Sequence, residues 1–255
     1  MILGAMAAAK RPIDTRTIML NTCLTIWALR LAWHIGRRHE GEDYRYVSLR
    51  NRMSKCGTAG YYILSFLLIF MLQAGLSLCV NYTCMLVTAT SSMQSFALAG
   101  AGQRFVWSDY VGISLFAVGF LFEAISDAQL ASHIANKDPA KGKFCKTGLW
   151  RYTRHPNYFG EALLWWGLWT VSLAVPKGLV SIFSPIVMTL LLRYVSGVPI
   201  LERKARRHPE WAQYEAETSC FIPWFWDKNA VAKPATSDQD DSYKQAEEQT
   251  QNKIN

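Results

Sequence analysis

Residues 56–103 read CGTAGYYILSFLLIFMLQAGLSLCVNYTCMLVTATSSMQSFALAGAGQ, and these 48 positions contain no Asp, Glu, Lys or Arg. Soluble domains expose charged residues, so an uncharged stretch of this length indicates burial in a bilayer. The whole chain of 255 residues is 51% hydrophobic and only 18% charged, which agrees with that interpretation. We therefore predict an all-α fold, a polytopic membrane helix bundle, because a helix satisfies its own backbone hydrogen bonds in lipid.

Five segments are candidates for crossing the bilayer, since a crossing helix needs about 20 apolar residues. They are residues 17–36, 61–83, 110–131, 159–176 and 179–199. Residues 84–101 are also uncharged, but they are rich in Thr, Ser, Ala and Gly, and we expect a non-cytosolic loop there. The membrane domain then covers residues 17–226, between an N-terminal extension (1–16) and a disordered polar tail (227–255).

Basic residues follow the first, third and fifth of these segments. They are Arg37, Arg38, Arg45, Arg50, Arg52 and Lys55, then Lys137, Lys141, Lys143, Lys146, Arg151 and Arg154, then Arg203, Lys204, Arg206 and Arg207. The positive-inside rule places such loops in the cytosol, which requires one crossing between residues 56 and 109 and an external N-terminus. We expect a multi-pass membrane protein, in the endoplasmic reticulum if the organism is eukaryotic.

Metal and nucleic-acid sites are not expected. The formal net charge of +8 is explained by basic loops beside anionic lipid headgroups rather than by binding to nucleic acid. The six cysteines and five histidines show no ligand spacing, so we predict neither a metal site nor a disulfide framework.

Several polar side chains lie where lipid should be, and each is costly there unless it is paired or hydrated. Glu123 and Asp127 share one face of the third segment, and Asn157 and Glu161 have the same spacing at the start of the fourth. Arg30 lies near the cytosolic end of the first segment. These groups are either buried pairs, such as Arg30 with Asp127, or the lining of a polar cavity open to the cytosol. We favour the cavity, whose cationic rim suits a phosphate-bearing ligand.

The densest chemical signal is GLWRYTRHPNYFGE, residues 148–161. Pro156 suits the first position of a helix, and the positive N-terminal end of that helix favours an anion. Arg151, Arg154 and His155 add hydrogen-bond donors, and arginine forms forked contacts to phosphate. The alternative is an interfacial belt in which the bases meet lipid headgroups and the aromatic residues are Trp150, Tyr152 and Tyr158.

This stretch, together with Lys143–Gly148 and Leu164–Gly167, resembles the signature of the steroid 5-alpha-reductase-like integral membrane proteins. More narrowly, it resembles their subgroup labelled only as a domain of unknown function. The other matching pieces are Trp27–Leu31, Gly41–Tyr46, Phe122–Glu123 with Asp127 and Gln129, Leu201–Arg203, and Tyr214–Pro223. The resemblance covers about residues 20–225, and its core at 154–158 is similar to sterol C14 reductases and, in part, to isoprenylcysteine carboxyl methyltransferases.

The resemblance implies a reductase-like bundle of seven helices that binds NADPH in its cytosolic half and takes a lipid-like substrate from the membrane. By similarity, Asn157 and Glu161 hold the nicotinamide amide, and Asp127 lines the cofactor cavity. The residues implied near the phosphates are Arg30, Lys143 and Arg154, and those implied to close the cavity are Glu202 and Arg206. Three further residues of the stretch 148–161 are candidates for cofactor binding: Arg151, His155 and Tyr158.

Two features differ from the family pattern. Five spans are predicted instead of seven, so we expect a shortened member or a truncated gene product that lacks two N-terminal spans and the Gln-Glu pair on one of them. Trp27 stands where the family has a catalytic Tyr. The catalytic residue is therefore unassigned, and the tyrosines that could donate a proton are Tyr44, Tyr46, Tyr152 and Tyr158.

The predicted function is NADPH-dependent reduction of a C=C bond in a lipid-like substrate, a sterol or another enone. This chemistry requires the nicotinamide held against the β-carbon and a donor to the carbonyl oxygen. Two other functions stay open. One is S-adenosylmethionine-dependent methylation of a lipid-linked acceptor, and the other is a catalytically inactive lipid-binding or scaffold role.

Overall fold

A computed structural model describes residues 14–38, 50–51, 53–97, 104–136 and 142–225, and within them the regular structure is helical, without strands. The all-α prediction is confirmed. The main helices are α1 (Thr15–Arg38), α2 (Gly57–Ser65), α3 (Leu72–Ala97), α4 (Trp107–Asn136), α5 (Pro156–Ser172), α6 (Phe183–Leu190), α7 (Val198–Ala205) and α8 (Trp211–Glu217). Wider π-helical turns at Phe66–Met71 and Leu191–Val195 follow α2 and α6, and 3-10 turns lie at Ser54–Cys56, Gly148–Arg151 and Gly178–Ile182.

Among the described residues, four helical stretches are long and apolar enough to cross a membrane: Thr15–Arg37, Ser54–Thr90, Trp107–Asn136 and Gly178–Ala205. They coincide with four of the five predicted spans, as expected of an integral membrane protein. The fifth, 159–176, corresponds to α5, which has 17 residues. At 1.5 Å per residue α5 is roughly 26 Å long, slightly shorter than a hydrocarbon core of about 30 Å.

The predicted loop at 84–101 is wrong for residues 84–97, because α3 continues to Ala97, and residues 98–101 lie outside the described residues. Residues 84–97 contain no Pro or Gly, and hydroxyl groups in this part of the helix find partners. Thr90 donates to the carbonyl of Leu86, one turn earlier, and the hydroxyl oxygen of Thr88 accepts from Asn21 Nδ2 at 3.1 Å. These bonds satisfy the hydroxyl groups without breaking the helix, so a polar stretch of small residues is compatible with helix here.

Two predicted end segments fall largely or wholly outside the described residues. Of the extension at 1–16, only Asp14, Thr15 and Arg16 are described, and the tail at 227–255 lies outside entirely. The matching piece Gly41–Tyr46, with the candidate donors Tyr44 and Tyr46, also lies outside the described residues.

The chain divides into two compact units, Met1–Leu121 with Gly160–Leu192, and Phe122–Phe159 with Arg193–Asn255. The apolar core of the first unit comes from α1, α3, α4, α5 and the turn after α5. Its members are Leu20, Cys23, Val80, Cys84, Val87, Phe116, Leu164, Trp165, Leu168, Val171 and Val175. Trp165 is 2% exposed and packs edge-on against Trp27, with ring centroids 5.5 Å apart, which anchors α5 to α1.

Glycines allow α4 and α5 to pack very closely in the first unit. A Cβ atom at Gly112 would lie 2.6 Å from the carbonyl oxygen of Gly167, and one at Gly119 would lie 2.6 Å from that of Gly160. The pairing of early with late residues means that the two helices are antiparallel. Small residues are favoured at such contacts between membrane helices because they let the backbones approach.

Gly167→Ala is expected to destabilise the first unit by about 1–3 kcal/mol, because the new methyl group overlaps backbone that cannot move independently. The added Cβ would lie 2.6 Å from the Gly112 carbonyl oxygen. Gly75→Ala in α3 is the matched control, since no atom lies within 4 Å of its added Cβ. Alanine has the better helix propensity, so the control should unfold at the wild-type temperature or above it. Thermal unfolding in detergent measures both, and equal midpoints would contradict the close-packing argument.

Candidate functional site

An ionic network in the second unit centres on Arg154, in the loop before α5. Its Nε donates to Glu202 Oε1 at 2.9 Å, and its Nη1 donates to the carbonyls of Glu215 and Thr218 at 3.0 and 2.5 Å. Nη2 lies 3.8 Å from Glu215 Oε1, and the guanidinium lies over the Trp211 ring at 5.4 Å. Arg154 is only 6% exposed, and its N–H groups bind residues of α7, α8 and the segment after α8.

Glu202 is the main acceptor in this network. Its Oε1 also accepts a hydrogen bond from His155 Nε2 at 3.2 Å and from the Cys220 thiol at 3.5 Å. Its Oε2 lies 3.7 Å from Arg206 Nη2, and Arg206 in turn binds Glu215 Oε1 at 3.0 Å. A buried carboxylate is stable only with such partners, and Glu202 has them on both oxygens.

Burial sets the protonation of the groups beside Glu202. Desolvation lowers the pKa of His155 more than the hydrogen bond to Glu202 raises it, so the imidazole is neutral at pH 7 and donates its Nε2 proton. The ring stacks on Tyr158, with centroids 5.6 Å apart. Burial raises the pKa of the Cys220 thiol, which therefore stays protonated and donates to the same carboxylate. The two arginines thus supply the positive charge that balances Glu202.

The loop before α5 is also attached to α4 and α8. Leu149 donates its backbone N–H to Gln129 Oε1 at 3.0 Å, and Trp150 Nε1 donates to the Ser126 carbonyl at 2.9 Å. The hydroxyl of Tyr214 donates to the Trp150 carbonyl at 3.2 Å, and burial raises the pKa of that hydroxyl. These bonds hold the start of α5 in one position.

Asn157 and Asp127 form a second polar pair in this unit. Asn157 Nδ2 donates to Asp127 Oδ1 at 3.3 Å, and Asp127 is 6% exposed. The other side-chain atom, Asn157 Oδ1, is buried and has no hydrogen-bond partner among the residues that the structure describes. A buried acceptor left without a donor costs about 1–3 kcal/mol. This atom is therefore a candidate contact for the N–H group of a ligand.

The structure brings most of the predicted site residues into these two groups. The network contains Arg154, His155, Tyr158, Glu202 and Arg206, and the amide pair contains Asp127 and Asn157. The remaining candidates lie outside these two groups: Arg151 is exposed five residues before α5, and Lys143 is exposed and bonds through its backbone to Glu210. Glu161 on α5 and Arg30 on α1 are half-buried, and both belong to the first unit. Arg154 differs most from the prediction. Its N–H groups were predicted to contact phosphate, but in the structure they donate to acceptors of the protein itself.

Sequence reasoning did not single out Glu215, Trp211, Thr218 or Cys220 as members of the site. One signal was available, because Trp211 and Glu215 are four residues apart and share a face of α8. Trp211 Nε1 donates to Glu215 Oε2 at 3.0 Å. Thr218 takes part through its backbone carbonyl, a group that every residue type has, so the sequence gives no indication of this role.

A family profile described as "Protein of unknown function (DUF1295)" matches residues 1–218. The chain belongs to the DUF1295 family. This agrees with the narrower resemblance seen in the sequence, which is to a group of unknown function. A curated relative, "Uncharacterized protein C594.04c" of Schizosaccharomyces pombe, is 25% identical over 234 residues, covering 83% of this chain. The chain spans 64% of the length of that relative. No solved structure matches the chain.

Proposed function

We propose that this chain is an NADPH-dependent membrane oxidoreductase that reduces a C=C bond of a lipid-like substrate, a sterol or another enone. The nucleotide side faces the cytosol in this proposal, with the basic loops, and the compartment is the endoplasmic reticulum if the organism is eukaryotic. The observation that carries the proposal is the buried Oδ1 of Asn157, for which the described part of the chain offers no hydrogen-bond donor.

The carboxamide of nicotinamide fits the chemistry around Asn157. Asp127 accepts from Asn157 Nδ2, which orients the amide so that its oxygen is left for a ligand donor. Glu161 is the second residue that the family resemblance implies for the carboxamide. A primary carboxamide carries N–H donors, so a buried amide oxygen that lacks a donor among the described residues suits one of them.

The Arg154 network has a positioning role in this proposal. Arg154 and His155 immediately precede α5, and their bonds to Glu202 fix the helix start that carries Asn157. Small displacements of such a group can lower the rate strongly, which is why rigid anchoring matters. NADPH, when bound, supplies the hydride, while the protein orients the reactants and excludes water. The family resemblance supports the reductase class, and the apolar spans suit a substrate that arrives through lipid.

Asn157→Leu is expected to weaken NADPH binding about tenfold, because one hydrogen bond to the carboxamide is lost in a buried setting. Binding is followed by the fluorescence of NADPH added to detergent-solubilised protein, and thermal unfolding without nucleotide reports folding. Glu161→Gln should weaken binding in the same direction. Asn136→Leu, an exposed position at the end of α4, is the matched control and should bind like the wild type.

Wild-type affinity in the Asn157 variant, or no NADPH binding by the wild-type protein, would count against the proposal. Binding of S-adenosylmethionine in place of NADPH would favour the methyltransferase alternative. Loss of folding in Asn157→Leu, measured without nucleotide, would identify a purely structural amide.

A further inference from the structure

A cleft of about 320 Å³ lies beside α7 in the second unit. Its lining includes three cationic side chains, those of Lys143, Lys204 and Arg207, and the apolar side chains of Phe144 and Leu201. The cleft therefore combines an apolar floor with positive charge at its edge.

The cleft lies on a different side of α7 from the network around Glu202. At 3.6 residues per turn, Leu201 is roughly 100° and Lys204 roughly 160° from Glu202 around the helix axis. Arg206 is only about 40° from Glu202, and it is Arg206 that contacts that carboxylate. Lys204 therefore lies away from the Glu202 carboxylate.

The floor of the cleft is held in place by aromatic packing. Phe144 stacks on Tyr214 with centroids 5.5 Å apart and contacts Trp211 edge-on at 5.2 Å. The ring of His208 meets Phe144 edge-on at 5.6 Å. Glu210 is an acid beside the cleft, and its Oε2 accepts the backbone N–H of Lys143 at 2.9 Å. The lining itself, as far as the structure describes it, contains three cationic side chains and no carboxylate.

The position along the chain indicates which anion reaches this cleft. Leu201, Lys204 and Ala205 line it, and they are the last residues of the apolar stretch Gly178–Ala205, which is long enough to cross a membrane. The end of such a span lies at the level of the lipid headgroups, where Lys and Arg extend toward phosphate. A phospholipid headgroup carries a phosphate for the cations and an adjoining glycerol and acyl chain for the apolar floor. We propose that this cleft binds the phosphate headgroup of an anionic phospholipid.

Native mass spectrometry of the detergent-solubilised protein with added phosphatidic acid or phosphatidylcholine tests this site. The wild type is expected to retain phosphatidic acid in preference to phosphatidylcholine. The double variant Lys204→Gln, Arg207→Gln should bind phosphatidic acid roughly tenfold more weakly, because two headgroup cations are removed. Arg203→Gln is the matched control, since it removes an exposed cation that does not line the cleft. Thermal unfolding confirms that both variants are folded.

Unchanged retention of phosphatidic acid in the double variant, or equal retention of both lipids by the wild type, would overturn the assignment. Displacement of the lipid by millimolar inorganic phosphate would show a site for free phosphate instead. Loss of NADPH binding with retention of the lipid would assign Lys204 and Arg207 to the nucleotide. Loss of lipid preference with intact NADPH binding supports the headgroup site, and it does so whether or not the proposed reductase activity is correct.

Discussion

Arg154→Met is expected to lower the free energy of unfolding by about 3–5 kcal/mol, because it leaves the buried Glu202 carboxylate without its closest counter-charge. In the folded protein Arg154 Nε lies 2.9 Å from Glu202 Oε1, and both residues are 6% exposed. The carbonyls of Glu215 and Thr218 lose donors as well. Since a whole domain is stable by only about 5–15 kcal/mol, this single change approaches the limit of folding.

Arg151→Met is the matched control, because Arg151 is an exposed arginine three residues earlier. A surface substitution of this kind usually changes stability by less than about 0.5 kcal/mol. Arg154→Lys should be intermediate, since lysine keeps the charge but cannot reproduce the forked donor geometry. Thermal and denaturant unfolding in detergent give the comparison. If Arg154→Met and Arg151→Met unfold alike, Arg154 is not the centre of the network.

Breaking the buried pair of Arg16 and Asp109 in the first unit is expected to cost a similar amount, about 3–5 kcal/mol for either single variant. Arg16 Nε and Nη2 reach the two Asp109 oxygens at 2.7 and 2.8 Å, and the residues are 4% and 1% exposed. Asp109 Oδ2 also accepts the backbone N–H of Val106 at 2.8 Å. Both members of the pair lie in the first turn of a helix, so the pair joins the beginnings of α1 and α4.

The double variant Arg16→Met, Asp109→Leu is the decisive control. It removes both charges together, so the desolvation cost of the pair disappears and most of the lost stability should return. Unfolding midpoints of the wild type, the two single variants and the double variant form a complete cycle. If the stability lost in the double variant equals the sum of the losses in the two single variants, the two side chains do not stabilise each other.

The membrane helices were largely predictable because their signal is local. A stretch without charge, long enough to cross lipid, requires no knowledge of distant residues, and four of the five predicted segments correspond to long apolar helices. The prediction failed at 84–97, where small and hydroxylated residues were interpreted as a loop. In the folded chain the hydroxyl of Thr88 bonds to Asn21 in another helix, and the hydroxyl of Thr90 bonds to the preceding turn of its own helix.

The candidate site was predictable in part. The spacing around a helix start pointed to Arg154, His155, Asn157 and Glu161 as candidates, whose role as a binding site stays a prediction. In the structure Arg154 and His155 share the acceptor Glu202, and Asp127 contacts Asn157. The direction of the Arg154 side chain was not predictable. Its acceptors are Glu202 and two backbone carbonyls, which are 48 to 64 residues away along the chain.

Composition and spacing alone predicted the helical class and the membrane character, which the structure bears out, and they selected residues 148–161 as the candidate site. These are properties of the local chain, since hydrophobic length and helix periodicity act within about one helix. Long-range packing assigned the partners: it surrounded Arg154 with acceptors and left the oxygen of Asn157 without a donor from the residues that the structure describes. Such pairings depend on which distant groups come into contact when packing excludes water. The spacing of residues along the chain does not determine those contacts.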